Sequence, residues 1–255
     1  MNKITLSILS LLAAVVLLSC GGTKDADQIG DAQFCLDKLD AGATAADVNA
    51  CLEKIEGMTS PGAEGLRCSG AFIREGFSSG KRFNDAFKAI DNGASGSSLA
   101  TLMGIVTFSS MGNLPADFSN VGSAFDSCMK SGSKGATMIV SFSYLTMAMI
   151  SYFDNNAPIT TCTGNPCYDL ETQTTDVANA AKLLELVDPS TGNADAIAAQ
   201  TSIGAIIIAS YNLSCTGSSA NKDLCDVFQK AIDDAGGTGN PRRVTTGFLT
   251  TSFGY

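Results

Sequence analysis

Nine cysteines and no histidine define the chemistry that this chain of 255 residues can carry. Without an imidazole, neither a Ser-His-Asp triad nor a Cys-His pair can form, and histidine-ligated metals are excluded. Residues Gly76-Phe77-Ser78-Ser79-Gly80 match the Gly-x-Ser-x-Gly pattern of a nucleophile elbow. That elbow requires a strand before the serine, a helix after it and a histidine base. Because the segment before Gly76 has helical periodicity, we interpret the pattern as a turn between two helices.

The acidic residues lack the arrangement of a catalytic or metal site. Asp233 and Asp234 form an adjacent pair, but they end an amphipathic helix where water solvates both carboxylates. The segment from Asp188 to Asp195 superficially resembles a calcium loop, yet it lacks alternating acids and the terminal bidentate Glu. Cys162 and Cys167 are closely spaced, but structural zinc requires a second such pair or histidines. We therefore predict no catalytic residue, no bound metal and no cofactor.

Cys20 has a different context from the other eight cysteines. Lys3 precedes an uncharged run from Ile4 to Leu18, which is shorter than the roughly 20 apolar residues of a transmembrane helix. The run ends at Leu17-Leu18-Ser19-Cys20, where two apolar residues and a small residue precede the cysteine. This sequence resembles the lipobox of bacterial lipoproteins.

The lipobox resemblance implies that residues 1–19 are a signal peptide and that diacylglycerol is attached to the Cys20 thiol after export. The attached lipid chains would hold the protein on a membrane of the cell envelope. Gly21 occupies the position at which Asp causes inner-membrane retention in enteric bacteria, which favours the outer membrane. Residues 20–28 are predicted to be a flexible tether. The alternatives are an ordinary signal peptide that happens to end at a cysteine, and an uncleaved anchor.

The charge of the mature chain argues against several classes of partner. It has 25 acidic residues but only 15 of the 16 basic residues, since Lys3 is removed, so its net charge is about −10. A protein this acidic is a poor ligand for nucleic acid or for anionic lipid surfaces. Basic residues cluster only at Lys81-Arg82 and Arg242-Arg243. We expect no nucleic-acid partner.

The eight remaining cysteines are an even number in an exported chain, which predicts four disulfides. One pair brackets a tight Gly-Asn-Pro turn, and a second flanks a short Gly/Ser-rich linker between two helices. The two cysteines of a third pair lie at nearly equal distances on either side of residues 41–44. An antiparallel hairpin of helices would therefore place them next to each other. The last two cysteines form a long-range bridge. In that order the predicted disulfides are Cys162–Cys167, Cys215–Cys225, Cys35–Cys51 and Cys68–Cys128.

Helices must position these cysteines, because apolar residues recur at spacings of three and four. We predict an all-α fold of about ten helices in antiparallel pairs, stapled by disulfides and arranged as a tetratricopeptide-like array or as a bundle. This domain would span residues 29–235, and the Gly/Thr-rich stretch 236–255 would be a poorly ordered tail or a docking peptide. The predicted helices lie near residues 31–39, 46–55, 62–77, 80–91, 97–112, 118–131, 135–153, 173–187, 193–213 and 221–235.

Three long segments, 92–116, 135–153 and 196–221, contain no charged residue. The middle segment is long enough to suggest a transmembrane helix, but its five Ser and Thr residues are too polar for a lipid-facing helix. A helix that is apolar on all sides is also typical of the centre of a globular core. We therefore interpret it as a buried helix, and small residues such as Gly204 would let the uncharged helices pack closely.

These features predict a non-enzymatic, membrane-anchored lipoprotein of the cell envelope that binds a protein partner or a small apolar ligand through its helical scaffold. One alternative is an envelope hydrolase that uses Asp and Glu without histidine, with two carboxylates about 5–10 Å apart across a cleft. Another is a purely structural surface protein. An apolar cavity among the uncharged helices would favour the small ligand, whereas a solid core with an apolar patch on the outside would favour a protein partner.

Overall fold

A computed structural model describes residues 24–40, 42–77, 103–111, 113–154, 177–217 and 221–253. Over these residues the chain is helical and has no strand, so the predicted all-α class is confirmed. The helices are α1 (Lys24–Leu36), α2 (Ala45–Leu52), α3 (Pro61–Arg74), α4 (Leu114–Ser131), α5 (Lys134–Asp154), α6 (Val177–Val187), α7 (Ala194–Ser214), α8 (Lys222–Asp234) and α9 (Pro241–Phe253), with a 3-10 turn at Glu53–Ile55. The predicted helix 80–91, residue Cys20 and the predicted Cys162–Cys167 disulfide lie outside the described residues.

Side-chain caps fix the starts of five helices. In each case a side-chain oxygen just before the helix accepts a hydrogen bond from a backbone N–H of the first turn, which would otherwise lack a partner. For α4 the cap is Asn113 and Pro115 lies in the first turn, so the helix begins at Leu114, four residues before the predicted start at 118. The caps of α2, α3, α4, α7 and α8 are Thr44, Ser60, Asn113, Asn193 and Asn221.

The second half of the predicted helix 97–112 is wrong. After a helical turn at 103–105 the chain leaves the helix, and it buries Val106 and Phe108 in the core. Glu75 explains the change, because its Oε2 accepts hydrogen bonds from the backbone N–H of Ser109 (2.7 Å) and Ser110 (3.1 Å). A continuing helix would have used these donors internally.

The predicted C-terminal tail is also wrong, because residues 241–253 form helix α9. Val244, Phe248 and Leu249 are each fully buried in the main core. Thr and Gly are poor helix formers, and their abundance concealed this apolar face in the sequence. Tertiary packing of the buried face outweighs the weak intrinsic helix propensity.

The helices share one main core. Helix α7 packs against α5 on one side and against α9 on the other, and α4 packs against both α3 and α5. The rings of Phe142 in α5 and Phe228 in α8 stack with centroids 5.3 Å apart. Helices that are distant in sequence therefore meet in one core, as in a bundle.

Close packing of α7 against α9 depends on Gly204. A Cβ atom at this position would lie 1.9 Å from the carbonyl oxygen of Pro241, far inside van der Waals contact. Gly247 allows the next contact, since a Cβ there would lie 2.9 Å from the carbonyl oxygen of Ala231 in α8. Gly204 therefore permits close helix packing, but its close neighbour is α9, whereas the sequence predicted another of the uncharged helices.

A smaller apolar cluster lies at the N-terminal end of the chain. It joins α1, α2 and the start of α3 through Leu36, Val48, Ile55 and Leu66. Helix α1 begins at Lys24, inside the predicted flexible tether 20–28, so that part of the tether prediction is wrong. Acidic residues in the first turn of α1 favour this start, because they complement the positive end of the helix dipole.

Candidate functional site

Three of the four predicted disulfides are confirmed. Their Cα atoms are 5.4, 4.9 and 5.4 Å apart for Cys35–Cys51, Cys68–Cys128 and Cys215–Cys225. They join α1 to α2, α3 to α4, and the end of α7 to α8. Because a disulfide sulfur is neither a thiolate nucleophile nor a metal ligand, these six cysteines are structural.

Two buried carboxylates, Glu75 and Asp117, lie where α3 ends and α4 begins, and they are the candidate pair for an acid-pair hydrolase. Besides the two serine N–H groups, Glu75 accepts a hydrogen bond from Asn120 Nδ2 at 3.0 Å. Asp117 Oδ1 accepts one from the backbone N–H of Met111 at 2.8 Å. Both carboxylates thus bind backbone donors of residues 109–111, which is the arrangement of groups that hold a loop in place.

Arg74 supplies the positive charge for this cluster and donates a hydrogen bond from Nη2 to Asn120 Oδ1. Burial lowers the pKa of the Arg74 guanidinium, while the charges of Glu75 and Asp117 oppose that shift. A guanidinium stays protonated in proteins, so its charge offsets those of the buried carboxylates. We refer to Arg74, Glu75, Asp117 and Asn120 as the α3–α4 polar cluster.

The two sequence patterns that resemble functional loops are associated with helix ends. Gly76 follows the last residues of α3 with a φ of 77°, a conformation that glycine adopts readily, and residues 78–80 lie outside the described residues. In the loop before α7, Asp188 accepts hydrogen bonds from the backbone N–H and hydroxyl of Ser190. Asn193 then caps α7. The interpretation of this loop as a turn with a helix cap is confirmed.

Helix α5 is the buried central helix that its composition predicted. By length and composition alone, both α5 and α7 are apolar enough to cross a membrane, but 78% of the apolar stretch of α5 is buried inside the protein. Its polar side chains have partners there: Ser141 accepts a hydrogen bond from Ser210 of α7, and Thr146 donates to the carbonyl oxygens of Met103 and Phe142. Met138, Met147 and Met149 lie in the core.

Helix α7 differs from α5, because only 39% of its apolar stretch is buried. Its most exposed positions recur at helical spacing on one side, and after Asp195 at the N-terminus none of them is charged. We call this surface the α7 face. It consists of Ala198, Thr201, Ser202, Ala205, Ala209, Asn212 and the large apolar side chain of Leu213, which is 38% exposed.

A buried amide joins α6, α7 and α9. Gln200 Nε2 donates hydrogen bonds to the carbonyl oxygens of Glu185, Leu186 and Asp188, at 3.1, 3.1 and 2.8 Å, which satisfies acceptors at the C-terminal end of α6. Its Oε1 accepts a hydrogen bond from Arg242 Nε at 2.9 Å. Sequence reasoning missed this junction, since nothing in the sequence relates Gln200 to an arginine in the supposed tail.

A pocket of about 240 Å³ lies beside this junction, at the N-terminal end of α9. Pro189, Ser190, Asn240, Arg242 and Arg243 line it. A second pocket of about 340 Å³ shares Pro189 and Arg243 with the first and extends along α9 to Asp234 of α8. The sequence identified Arg242-Arg243 only as a basic pair, and the structure places the pair in a pocket.

Comparison with known proteins gives no match, since no family model, no curated protein and no solved structure is significantly similar to this chain. Within the part of the chain that the structure describes, the features compared for a functional role are the α3–α4 polar cluster, the α7 face and the pocket at α9. The first binds backbone groups of its own chain. The second and third are open to the surroundings.

Proposed function

We propose that this protein is a lipid-anchored, non-enzymatic protein of the cell envelope that binds a protein partner through the α7 face. The observation that carries this proposal is a long helix side that is exposed but uncharged. Of the two predicted ligand classes, a protein partner is favoured, because the apolar side chains of α5 fill the core. The acid-pair hydrolase is disfavoured, because Glu75 and Asp117 bind backbone donors.

The exposed surfaces of two other helices differ from the α7 face in their charge. Helices α4 and α8 carry surface ion pairs between residues four apart: Lys130–Asp126, Lys222–Asp226 and Lys230–Asp234. The α7 face has no such pair over a similar length. A surface without charges loses little solvation free energy when a partner covers it.

The side chains of the α7 face also define the chemistry of the partner. Ala, Ser and Thr are short, so a second helix can approach closely and lose little side-chain entropy. The exposed hydroxyls and the Asn212 amide would donate hydrogen bonds at the edges of such a contact. The partner would therefore present an uncharged helix with small or apolar side chains.

The proposed anchor would keep the domain close to the membrane. Only residues 21–23 lie between the proposed lipidation site at Cys20 and the start of α1 at Lys24, and the four Cα–Cα steps from Cys20 to Lys24 span at most about 15 Å. The partner would therefore be a membrane protein or another protein held at the same surface. This supports a role in an envelope assembly.

Site-specific photo-crosslinking in the native envelope tests this function. A photoreactive amino acid replaces Ala205 at the centre of the α7 face, and in the matched control it replaces Asp223, an exposed residue of α8. We expect a protein adduct of defined mass from position 205 and none from position 223. The adduct should be lost when Ala198→Arg is added, because an arginine on this face blocks close approach. Equal adducts from both positions, or an adduct with lipid alone from position 205, would contradict the proposal.

A further inference from the structure

We infer that the pocket at the N-terminal end of α9 binds a phosphate group. This inference is independent of the α7 face. The pocket lies between the loop that follows α6 and the first turn of α9, and two adjacent arginines, Arg242 and Arg243, line it. In a chain with a net charge of −9, a pocket lined by two arginine residues is a local reversal of sign.

Arg242 is held rigidly at the inner wall of the pocket. Its Nε donates to Gln200 Oε1, and its Nη2 donates to the carbonyl oxygens of Pro189 (2.8 Å) and Thr191 (3.2 Å). These bonds use the Nε and Nη2 edge of the guanidinium group. Nη1 has no hydrogen bond to the described residues. A guanidinium fixed in this way loses little entropy when an anion binds.

Arg243 contributes the second positive charge. It is exposed, and its side chain makes no hydrogen bond or ion pair with any of the described residues. Its backbone N–H donates to the Asn240 side chain at 3.3 Å, which places the start of α9 at the same pocket. The partial positive charge of this helix end adds to the two guanidinium groups.

Two carboxylates lie near the pocket, and each has a partner. Asp188 accepts two hydrogen bonds from Ser190, and these bonds lower the pKa of Asp188, with a smaller contribution from Arg242. Asp234, which lines the adjoining pocket, is paired with Lys230 at 2.7 Å. Lys230 neutralises Asp234, whereas Asp188 keeps its negative charge beside Ser190, so the two arginines leave the pocket with one net positive charge.

Phosphate is the anion that matches this geometry best. Two guanidinium groups together have more donors than the two oxygens of one carboxylate can accept, whereas a phosphate dianion offers more acceptor oxygens and a second negative charge. A volume of about 240 Å³ also leaves space for a substituent, so the ligand is inorganic phosphate or a phosphomonoester. At the cell envelope, the same group is present on lipid headgroups.

Titration calorimetry on the purified mature protein tests the site, with inorganic phosphate as the soluble probe at constant ionic strength. We expect Arg243→Gln to weaken phosphate binding about tenfold, which is the loss of one charge-assisted hydrogen bond. Lys222→Gln is the matched control. It removes the same charge from a side chain that is 79% exposed on α8, and it should leave the affinity unchanged.

Flotation with phosphatidylcholine vesicles, with and without phosphatidic acid, distinguishes the two sources of the phosphate group. These experiments use the Cys20→Ala chain without its lipid, so that the anchor does not dominate. Binding of free phosphate, or of phosphatidic acid vesicles alone, supports the inference if Arg243→Gln weakens it. No binding of either probe, equal binding by Arg243→Gln and the unaltered chain, or equal affinity for acetate and phosphate would overturn it.

Discussion

At the scale of single residues, the interior of this protein depends on polar side chains that have defined partners. Gln200 satisfies carbonyl oxygens at the end of α6, Glu75 binds backbone N–H groups of the loop before α4, and Ser210 donates to Ser141 between two central helices. A buried polar group without a partner costs about 1–3 kcal/mol, so each of these contacts specifies one arrangement of its neighbours. They stabilise the fold and leave the chemistry of binding to the surface.

Gly204 provides a test at this scale. We expect Gly204→Ala to lower the free energy of unfolding by about 1–3 kcal/mol, because the added methyl group overlaps the Pro241 carbonyl and separates α7 from α9. Gly30→Ala is the control, since a Cβ at this exposed helical position has no atom within 4 Å. The control should stabilise the protein by up to about 1 kcal/mol through helix propensity. Urea denaturation of both variants measures the difference, and an unaffected Gly204→Ala variant would show that the helices are not in close contact.

At the scale of helices, α9 completes the bundle. It lies against α7 through Gly204 and against α8 through Gly247, and its apolar side enters the main core. Its first turn carries Arg242, whose guanidinium reaches the C-terminal end of α6. One helix thus connects three others and forms a wall of the proposed phosphate pocket.

A substitution at Phe248 tests how much α9 contributes to the stability of the protein. Phe248→Ala should lower the free energy of unfolding by about 3–5 kcal/mol, because the Phe248 ring is fully buried. Its centroid lies 6.0 Å from the ring centroid of Phe228. Thr250→Ala, at an exposed position of the same helix, should change stability by less than about 0.5 kcal/mol. A thermal scan that gives the same Tm for both variants would mean that α9 is not part of the core.

At the scale of the whole molecule, the disulfides stabilise the fold and the proposed anchor determines where the domain is held. Cys68–Cys128 closes a loop of 60 residues, and the other two described disulfides close loops of 16 and 10. By loop entropy alone the longest bridge contributes about 4 kcal/mol and each of the others about 3 kcal/mol. Disulfides persist in an oxidising compartment, so these bridges agree with the proposed location at the cell envelope.

The proposed location of the molecule depends on Cys20. Cys20→Ala should abolish incorporation of labelled fatty acid and move the protein from the membrane fraction to the soluble envelope fraction, because the lipobox then has no thiol to accept the lipid. The eight other cysteines are unaffected, so the variant should keep its unfolding temperature. Metabolic labelling and fractionation report the first result, and calorimetry the second. A Cys20→Ala protein that stays in the membrane fraction would show that another segment anchors the chain.

Local patterns in the sequence were sufficient for much of the fold. The all-α class, most helix positions and three described disulfides followed from periodicity and cysteine spacing, because amphipathic helices and short hairpins are determined by neighbours in the chain. Even the long-range Cys68–Cys128 disulfide could be predicted, because these were the two cysteines that remained after the local pairs had been assigned. The lipobox at Cys20 is also a local pattern, and the anchoring that it implies is a prediction from the sequence alone.

Tertiary structure decided what depends on residues that are distant in sequence. The Gly/Thr-rich end became α9 because Gly204 and Gly247 admit it between α7 and α8, and helix propensity at positions 241–253 carries no sign of that contact. Residues 106–111 left the predicted helix because Glu75, just after α3, binds the N–H groups of Ser109 and Ser110. The α7 face and the arginine pocket likewise exist only after packing has determined which sides of the helices stay exposed. Exposure is a property of the assembled core, and no short segment of sequence specifies it.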